Sequence, residues 1–416
     1  HLRIAGILSE HQGDRDTAIE HYRAAQEVDP SNVEVLARLA SIFEAEERWT
    51  ELVVILEMQA HLTPDDDVRT DLFRKVGDLW DLQLGDPEQA IEAYRNILRI
   101  DERNVDALAS LERIYEVAES WPELIEILER RATALYEPQE VVAIRHRVAV
   151  LWEEHVGSVE RAVEAYRDVL EEDPTHLESL QALERLYEHL EKWPDLLDVY
   201  ELHMDLAQEA SEQIGLYRKM ARVHEVEFRD LGPAVEQYGK ILLVDESNLE
   251  AILDLVRLYE EMERWDDLVE TYARHVSVVE DGDTRVAVYS AMGHVYREKL
   301  QDLYRAIESY TAITAIEPHN IDALYELAAL YEETSDWTNC LTTYESLAEV
   351  VTDAEAGVEL HYRIGRIKEE NLLDQDGAIE RYRYALEIEP SYLPAIDALR
   401  GMYERVEDWS GVISML

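Results

Sequence analysis

Gly85-Asp-Pro-Glu-Gln-Ala-Ile-Glu-Ala-Tyr-Arg-Asn-Ile-Leu-Arg-Ile-Asp101 is a stretch to which the chain returns, lightly altered, at a fixed interval. Its Ala90 and Tyr94 recur as Ala18/Tyr22, Ala162/Tyr166, Ala234/Tyr238, Ala306/Tyr310 and Ala378/Tyr382, each step being 72 residues. Trp49, Trp121, Trp193, Trp265, Trp337 and Trp409 keep the same interval. Two independent markers holding one register over six copies establish a repeat protein, in which each unit packs on its neighbours in the chain. The 416 residues are therefore read as a single elongated domain, 1–416, where a globular chain of that length would divide into two or three.

Apolar spacing within one unit is helical, and residues 68 to 136 hold four helices. The first runs over 68–84, with Leu72, Phe73, Val76, Leu79 and Trp80 on one face and Gly77 giving another helix a close approach. At Gly85 the chain turns. Asp86 then caps a second helix with Pro87 at its first position and Gln89 completing a capping box. The third starts at the cap Asn104 and buries Val105, Leu108, Leu111, Ile114 and Tyr115. Ser120-Trp-Pro-Glu123 reads as another capping box opening the fourth, through Leu124, Ile127 and Leu128. Each unit is thus two helical hairpins, and the turn of the first is one residue longer than that of the second. With few Gly, Pro and Phe and many Ala, Leu, Glu and Arg, the composition supports an all-α fold of about 24 helices.

Ninety-two acidic residues against 39 basic ones give a net charge of -53, which repels nucleic acid and anionic membrane surfaces. The lone cysteine, Cys340, stands where Leu52, Leu124, Leu196 and Leu268 stand in other copies, and reads as a buried hydrophobe. One cysteine forms no internal disulfide; that fits a reducing, cytoplasmic setting and does not decide against a periplasmic or extracellular one. No apolar run approaches membrane-spanning length. The chain opens within one helix of the unit and stops within another, so it is expected to be a fragment of a longer protein.

Tyr289-Ser-Ala-Met292-Gly293-His-Val-Tyr296, followed by Ala306, Tyr310 and Pro318, resembles the signature of the tetratricopeptide repeat. Phe73, Val76, Gly77, Trp80, Ala90 and Tyr94 fit it almost as well, and the resemblance covers the chain as about twelve hairpins. It implies an α-solenoid, a right-handed superhelix of antiparallel helix pairs, with a groove lined by the first helix of each hairpin. It further implies a non-catalytic scaffold that binds peptides or protein segments there. The second hairpin of each unit departs from the pattern: Leu replaces the small alanine, a Trp is added, and the small residue of its first helix gives way to Glu112, Glu184 or Arg400. Those hairpins should pack less closely.

Residues that carry catalysis or bind cofactors are not in evidence. His224-Glu225 lacks the second histidine of a zinc-protease helix, and the chain has no Gly-rich phosphate loop and no Cys cluster for a metal. The acidic runs Asp65-Asp66-Asp67 and Glu280-Asp281-Gly282-Asp283 lack the ligand spacing of a calcium loop and read as solvated loops. The Trp and Tyr series, identical in every unit, are expected to serve packing in the core. Partner-binding residues should instead vary, which points to Arg185, Arg222, Arg257 and His294 on successive first helices, with Arg218 one turn before Arg222. Their guanidinium forks suit a carboxylate terminus or an acidic segment. The competing reading is local pairing along each helix with Glu188, Glu225 and Glu260, three residues on. The leading function is a protein-interaction scaffold. The alternatives are a structural element that self-associates and the non-catalytic arm of a larger protein.

Overall fold

The computed structural model describes residues 15–414. Among the described residues there are 23 α-helices and no strand, and consecutive helices pack as hairpins: an all-α solenoid. In the unit used above the helices are Asp66–Leu79, Pro87–Ile100, Val105–Val117 and Trp121–Ala134. Their inward faces meet in one core of Phe73, Ala90, Tyr94, Ile97, Leu108, Leu111, Leu124 and Leu128. The described residues divide into two compact units between Leu206 and Ala207. Helices from Arg15–Val28 to Trp193–Leu206 build the first, and those from Ala210–Arg222 to Trp409–Ser414 the second.

The extra residue of each first hairpin is absorbed in a π-helical last turn. The expected helix over 68–84 is α-helical only to Leu79, and then widens over Trp80–Leu84. The same happens at Leu151–Val156, Val223–Glu227, Val295–Leu300 and Ile367–Asn371. One additional residue per turn lengthens the bonded loop, as in Phe228 N–H to Val223 O at 3.2 Å and Leu372 N–H to Ile367 O at 3.0 Å, the usual signature of a single inserted residue. The chain then leaves through one left-handed residue, Gly85 and Gly157 in two copies but Arg229, Gln301 and Leu373 in the others.

Caps follow the sequence except in two places: Gln89 does not complete its capping box, because the Asp86 N–H donates to Trp80 O at 2.9 Å, and Ser120 fails as a cap. The Asp86 carboxylate accepts from Gln89 N–H at 3.2 Å, and Asn104 accepts from Ala107 N–H at 3.0 Å. Ser120 caps nothing, contrary to the capping box expected there. Left-handed Glu119 (φ 52°) leads into it, and at ψ 73° the hydroxyl falls short. Asp336, with almost the same backbone (ψ 74°), does reach Asn339 N–H at 3.3 Å because its carboxylate arm is one atom longer.

Close approach at Gly77 is real, and Tyr94 is what approaches: a Cβ at Gly77 would lie 2.7 Å from the Tyr94 ring. Gly293 and Gly365 stand in the same relation to Tyr310 and Tyr382, at 2.6 and 2.5 Å. These tyrosines are fully buried, as expected. The tryptophans are not: Trp49, Trp121, Trp193, Trp265 and Trp337 are half-buried and Trp409 is exposed. Each begins a helix, so its ring lies at the hairpin's end, and Trp121 and Trp265 pack there on the π turn of the following hairpin. Trp121 stacks on His155 at 4.1 Å, and Lys299 Nζ sits 5.0 Å over the Trp265 ring. Cys340 is buried, and burial pushes its thiol up to about 12.

Candidate partner-binding face

Glu225 shows how the face of the first helices is built. It sits in the π turn Val223–Glu227 and is gripped from the next hairpin by both arms of Arg257, Nη1 to Oε1 at 2.8 Å and Nη2 to Oε2 at 3.0 Å. From the second helix of its own hairpin the Tyr238 hydroxyl donates to it at 3.5 Å. Burial, with Asp254 and Glu225 close by, pushes that phenol up to about 12. The arrangement recurs: Arg185 pairs with Glu153, to which the Tyr166 hydroxyl donates at 2.9 Å, and Arg113 pairs with Asp81. Glu153 and Glu225 thus each collect a phenol from within their hairpin and a guanidinium from the next, whereas in the Asp81 copy the Tyr94 hydroxyl donates instead to Asp78 at 2.7 Å.

Two copies vary the theme. Where the acid would be, the fourth copy has Arg297, which reaches forward to Glu326 at 2.5 Å and Glu333 at 3.7 Å; the polarity is reversed and the bridge survives. Tyr310 has then lost its acceptor, and its hydroxyl is buried without a hydrogen-bond partner. In the fifth, Glu369 takes the Tyr382 hydroxyl at 2.8 Å and pairs with Arg405.

The expected local pairs are corrected by this geometry: Arg185 and Arg257 bond the preceding hairpin in place of Glu188 and Glu260, and Glu225 belongs to Arg257, not to Arg222. Reaching back is favoured because the π turn carries its carboxylate to the hairpin's edge, where the next first helix passes. Arg218 likewise reaches forward, to Glu250 at 2.6 Å. Arg222 is exposed and holds no ion pair among the described residues, although its charge is felt at Tyr238. Its register is set by its neighbours, since 218 meets 250 and 225 meets 257, which puts it opposite Leu253 and Asp254. Leu253 is 47% exposed. His294 is exposed at the end of Gly282–His294, edge-on to Tyr310 at 6.2 Å. Arg185 lies in the first compact unit, and Arg218, Arg222, Arg257 and His294 in the second.

Sequence reading missed the carboxylates Asp81 and Glu153 and assigned Glu225 to the wrong arginine. The signal was present as a constant 32-residue spacing to Arg113, Arg185 and Arg257. Glu112 and Glu184, which take the place of a small residue, are also paired: Glu112 with Arg131 and, at 2.5 Å, with Arg147, and Glu184 with buried His203 at 2.5 Å. In the acidic runs Asp65 and Asp281 are helix caps, and hydrogen bonds from Thr284 hold the Asp281 carboxyl below its ordinary value. Among the described residues there is no group of three or more His, Cys, Asp or Glu side chains fit to hold a metal, and no helix long and apolar enough to cross a membrane.

Three family models described as tetratricopeptide repeat match the chain, at residues 179–214 and 251–286, at 322–350 and at 82–104. No curated protein matches. Among solved structures, MamA is 21% identical, with 43% of this chain aligned to 93% of that one and a TM-score of 0.28. YrrB, described as a TPR protein with an unusual peptide-binding site, is 17% identical over 48% of this chain and 96% of that one, with a TM-score of 0.28. Naa15/Naa10 bound to HypK-THB is 13% identical over 99% of this chain and 69% of that one, with a TM-score of 0.32.

Proposed function

We propose that this chain, a tetratricopeptide repeat protein, is a non-catalytic scaffold that holds segments of partner proteins on the exposed face of its first helices. Arg222 carries the reading. Arg113, Arg185, Arg257 and Arg366 occupy the same place in other hairpins and each holds a carboxylate, whereas the acid nearest Arg222 in sequence is engaged by Arg257 and Tyr238. A guanidinium that the fold does not use is free to take a carboxylate from outside, and the exposed side chain of Leu253 beside it suits an apolar residue of the same segment. Within the second unit Arg218 and Arg257 then hold the face in shape, and Arg222 with His294 meets the partner.

Long-range charge sets what approaches. At -53 the field draws in basic or mixed surfaces and disfavours nucleic acid; Arg222 then reads one carboxylate on such a surface. The test is selection of a displayed random-peptide library against the full chain. Peptides that pair a carboxylate with an apolar residue should be enriched, and Arg222→Ala should weaken them at least about tenfold, the loss of one charge-assisted contact, while Arg113→Ala leaves them bound. Failure to enrich any peptide, together with a sedimenting mass that grows with concentration, would replace this reading with self-association.

A further inference from the structure

We propose that the helix Leu177–His189 is capped by a pH-sensitive latch: protonation of His176 removes the lone pair that caps the helix and turns the ring towards Glu178. The third helix of each unit begins at one register position, occupied by Asn32, Asn104, Asn248 and Asn320 in four copies. Each of these amide oxygens accepts the backbone N–H three residues on, at 3.0 to 3.2 Å, and an amide cap is indifferent to pH. In the remaining copy with a side-chain cap the acceptor is an imidazole, His176 Nδ1, which receives Ser179 N–H at 3.3 Å.

That bond requires an uncharged ring with its proton on Nε2, because a protonated Nδ1 has no lone pair to offer. Ser179 is completely buried and its hydroxyl also lies 3.0 Å from the same nitrogen. Losing the acceptor therefore strands the Ser179 N–H away from water, which is where an unmade hydrogen bond costs most, while the hydroxyl turns its oxygen to accept from the new Nδ1–H. A crevice of about 400 Å³ lined by Val142, Glu172, Asp173 and His176 gives solvent access to the ring, so protons reach it.

Every packed element contributes a charged or titratable neighbour. On the helix Pro138–Val150, His146 faces His176 with ring centroids 4.8 Å apart; burial, and then His176, holds its imidazole below the ordinary value. Arg145 of the same helix is occupied by Glu172 at 3.3 Å, and the Tyr166 ring lies 5.8 Å from His146. Asp173 precedes the cap and is held by Thr175. On the helix Trp193–Leu206, His203 meets Glu184 further along. The charge gained by the ring faces the Glu178 carboxylate, 3.7 Å from His176 Nδ1, and is also felt at Asp173, whose carboxyl is held low by Thr175 and, to a lesser degree, by His176. Acidification thus exchanges a helix cap for an ion pair. His146 adds in the same direction: with its folded-state affinity for protons depressed, the unfolded chain takes up the proton first, so stability falls as pH drops below the ordinary histidine range.

Amide hydrogen exchange on the full chain at pH 7.5 and 5.5 tests the latch. Corrected for intrinsic rates, protection at Ser179 should fall by roughly tenfold relative to the Asn-capped amides Ala107 and Ala251, the span a lost cap allows. His176→Asn, which installs the cap of the other copies, should abolish that difference. Ring nitrogen shifts should show His176 changing from the Nε2–H form to the doubly protonated form over the same interval. Equal protection at all three amides at pH 5.5, or a His176→Asn chain that still loses Ser179 protection on acidification, overturns the proposal.

Discussion

Tyr238, Glu225 and Arg257 show what a single residue does in this array. The tyrosine is buried for its ring, and its hydroxyl then needs an acceptor; the acceptor is a carboxylate, and the carboxylate attracts an arginine from the next hairpin. Each step follows from the one before, because a buried polar atom left unpaired costs more than a made bond returns. The ring also dictates its neighbour. Gly293 faces Tyr310 so closely that Gly293→Ala drives a methyl into the ring, and we expect a loss of about 1–3 kcal/mol in urea unfolding. Ala149 and Ala221, at the same place in other copies, are fully buried, so an alanine can be housed there; a neutral result at Gly293 would mean that Tyr310 gives way to one. The buried tyrosines, the close glycine and the buried cysteine were legible, since each depends on local apolar periodicity. The partners of the arginines were not, because a contact 32 residues away in sequence is decided by how hairpins stack and not by the helix that carries the residue.

At the level of the element, one inserted residue separates the two hairpins of a unit. A π turn takes it up, and that turn both projects the bridging carboxylate and offers the surface on which the following arginine and the preceding tryptophan rest. Sequence reading registered the extra residue as a longer loop; it could not show that the residue stays within the helix, since α and π turns share the same apolar pattern until the last residues. The tryptophans were placed too deep for a related reason. Invariance showed that they pack, but a residue that starts a helix sits at the rim of a hairpin and covers the joint to the next. Caps were legible wherever a long enough acceptor met an extended backbone. Ser120 failed on reach, so lengthening it should repair the site: Ser120→Asp, copying Asp336, is expected to add about 0.5–1 kcal/mol of stability, read from the shift in the urea midpoint. Since Ser335 before Asp336 is left-handed like Glu119, an unchanged or lower midpoint would show that the length of the side chain is not what denies this helix its cap.

For the molecule as a whole, the 72-residue register proved sufficient for the fold class and for the start of nearly every helix. It runs unbroken through Leu206 and Ala207, where the described residues divide into two compact units; periodicity tells where hairpins begin, not how firmly successive ones cohere. The same limit governs charge. A chain at -53 has carboxylates to spare for every arginine, so composition makes each arginine look satisfied, and only the arrangement reveals that Arg222 is left over while Arg113, Arg185 and Arg257 clasp neighbouring hairpins and Arg366 holds Glu370 of its own. That contrast is the centre of the account, and double-mutant cycles on Glu225 measure it directly. Arg257 and Glu225 should couple by about 0.5–1 kcal/mol, the upper range for a partly exposed bidentate pair. Arg222 and Glu225, closer in sequence but not bonded, should couple by less than about 0.3 kcal/mol. If Arg222 couples to Glu225 as strongly as Arg257 does, the arginine is spent on the fold and the face has no free guanidinium to offer a partner.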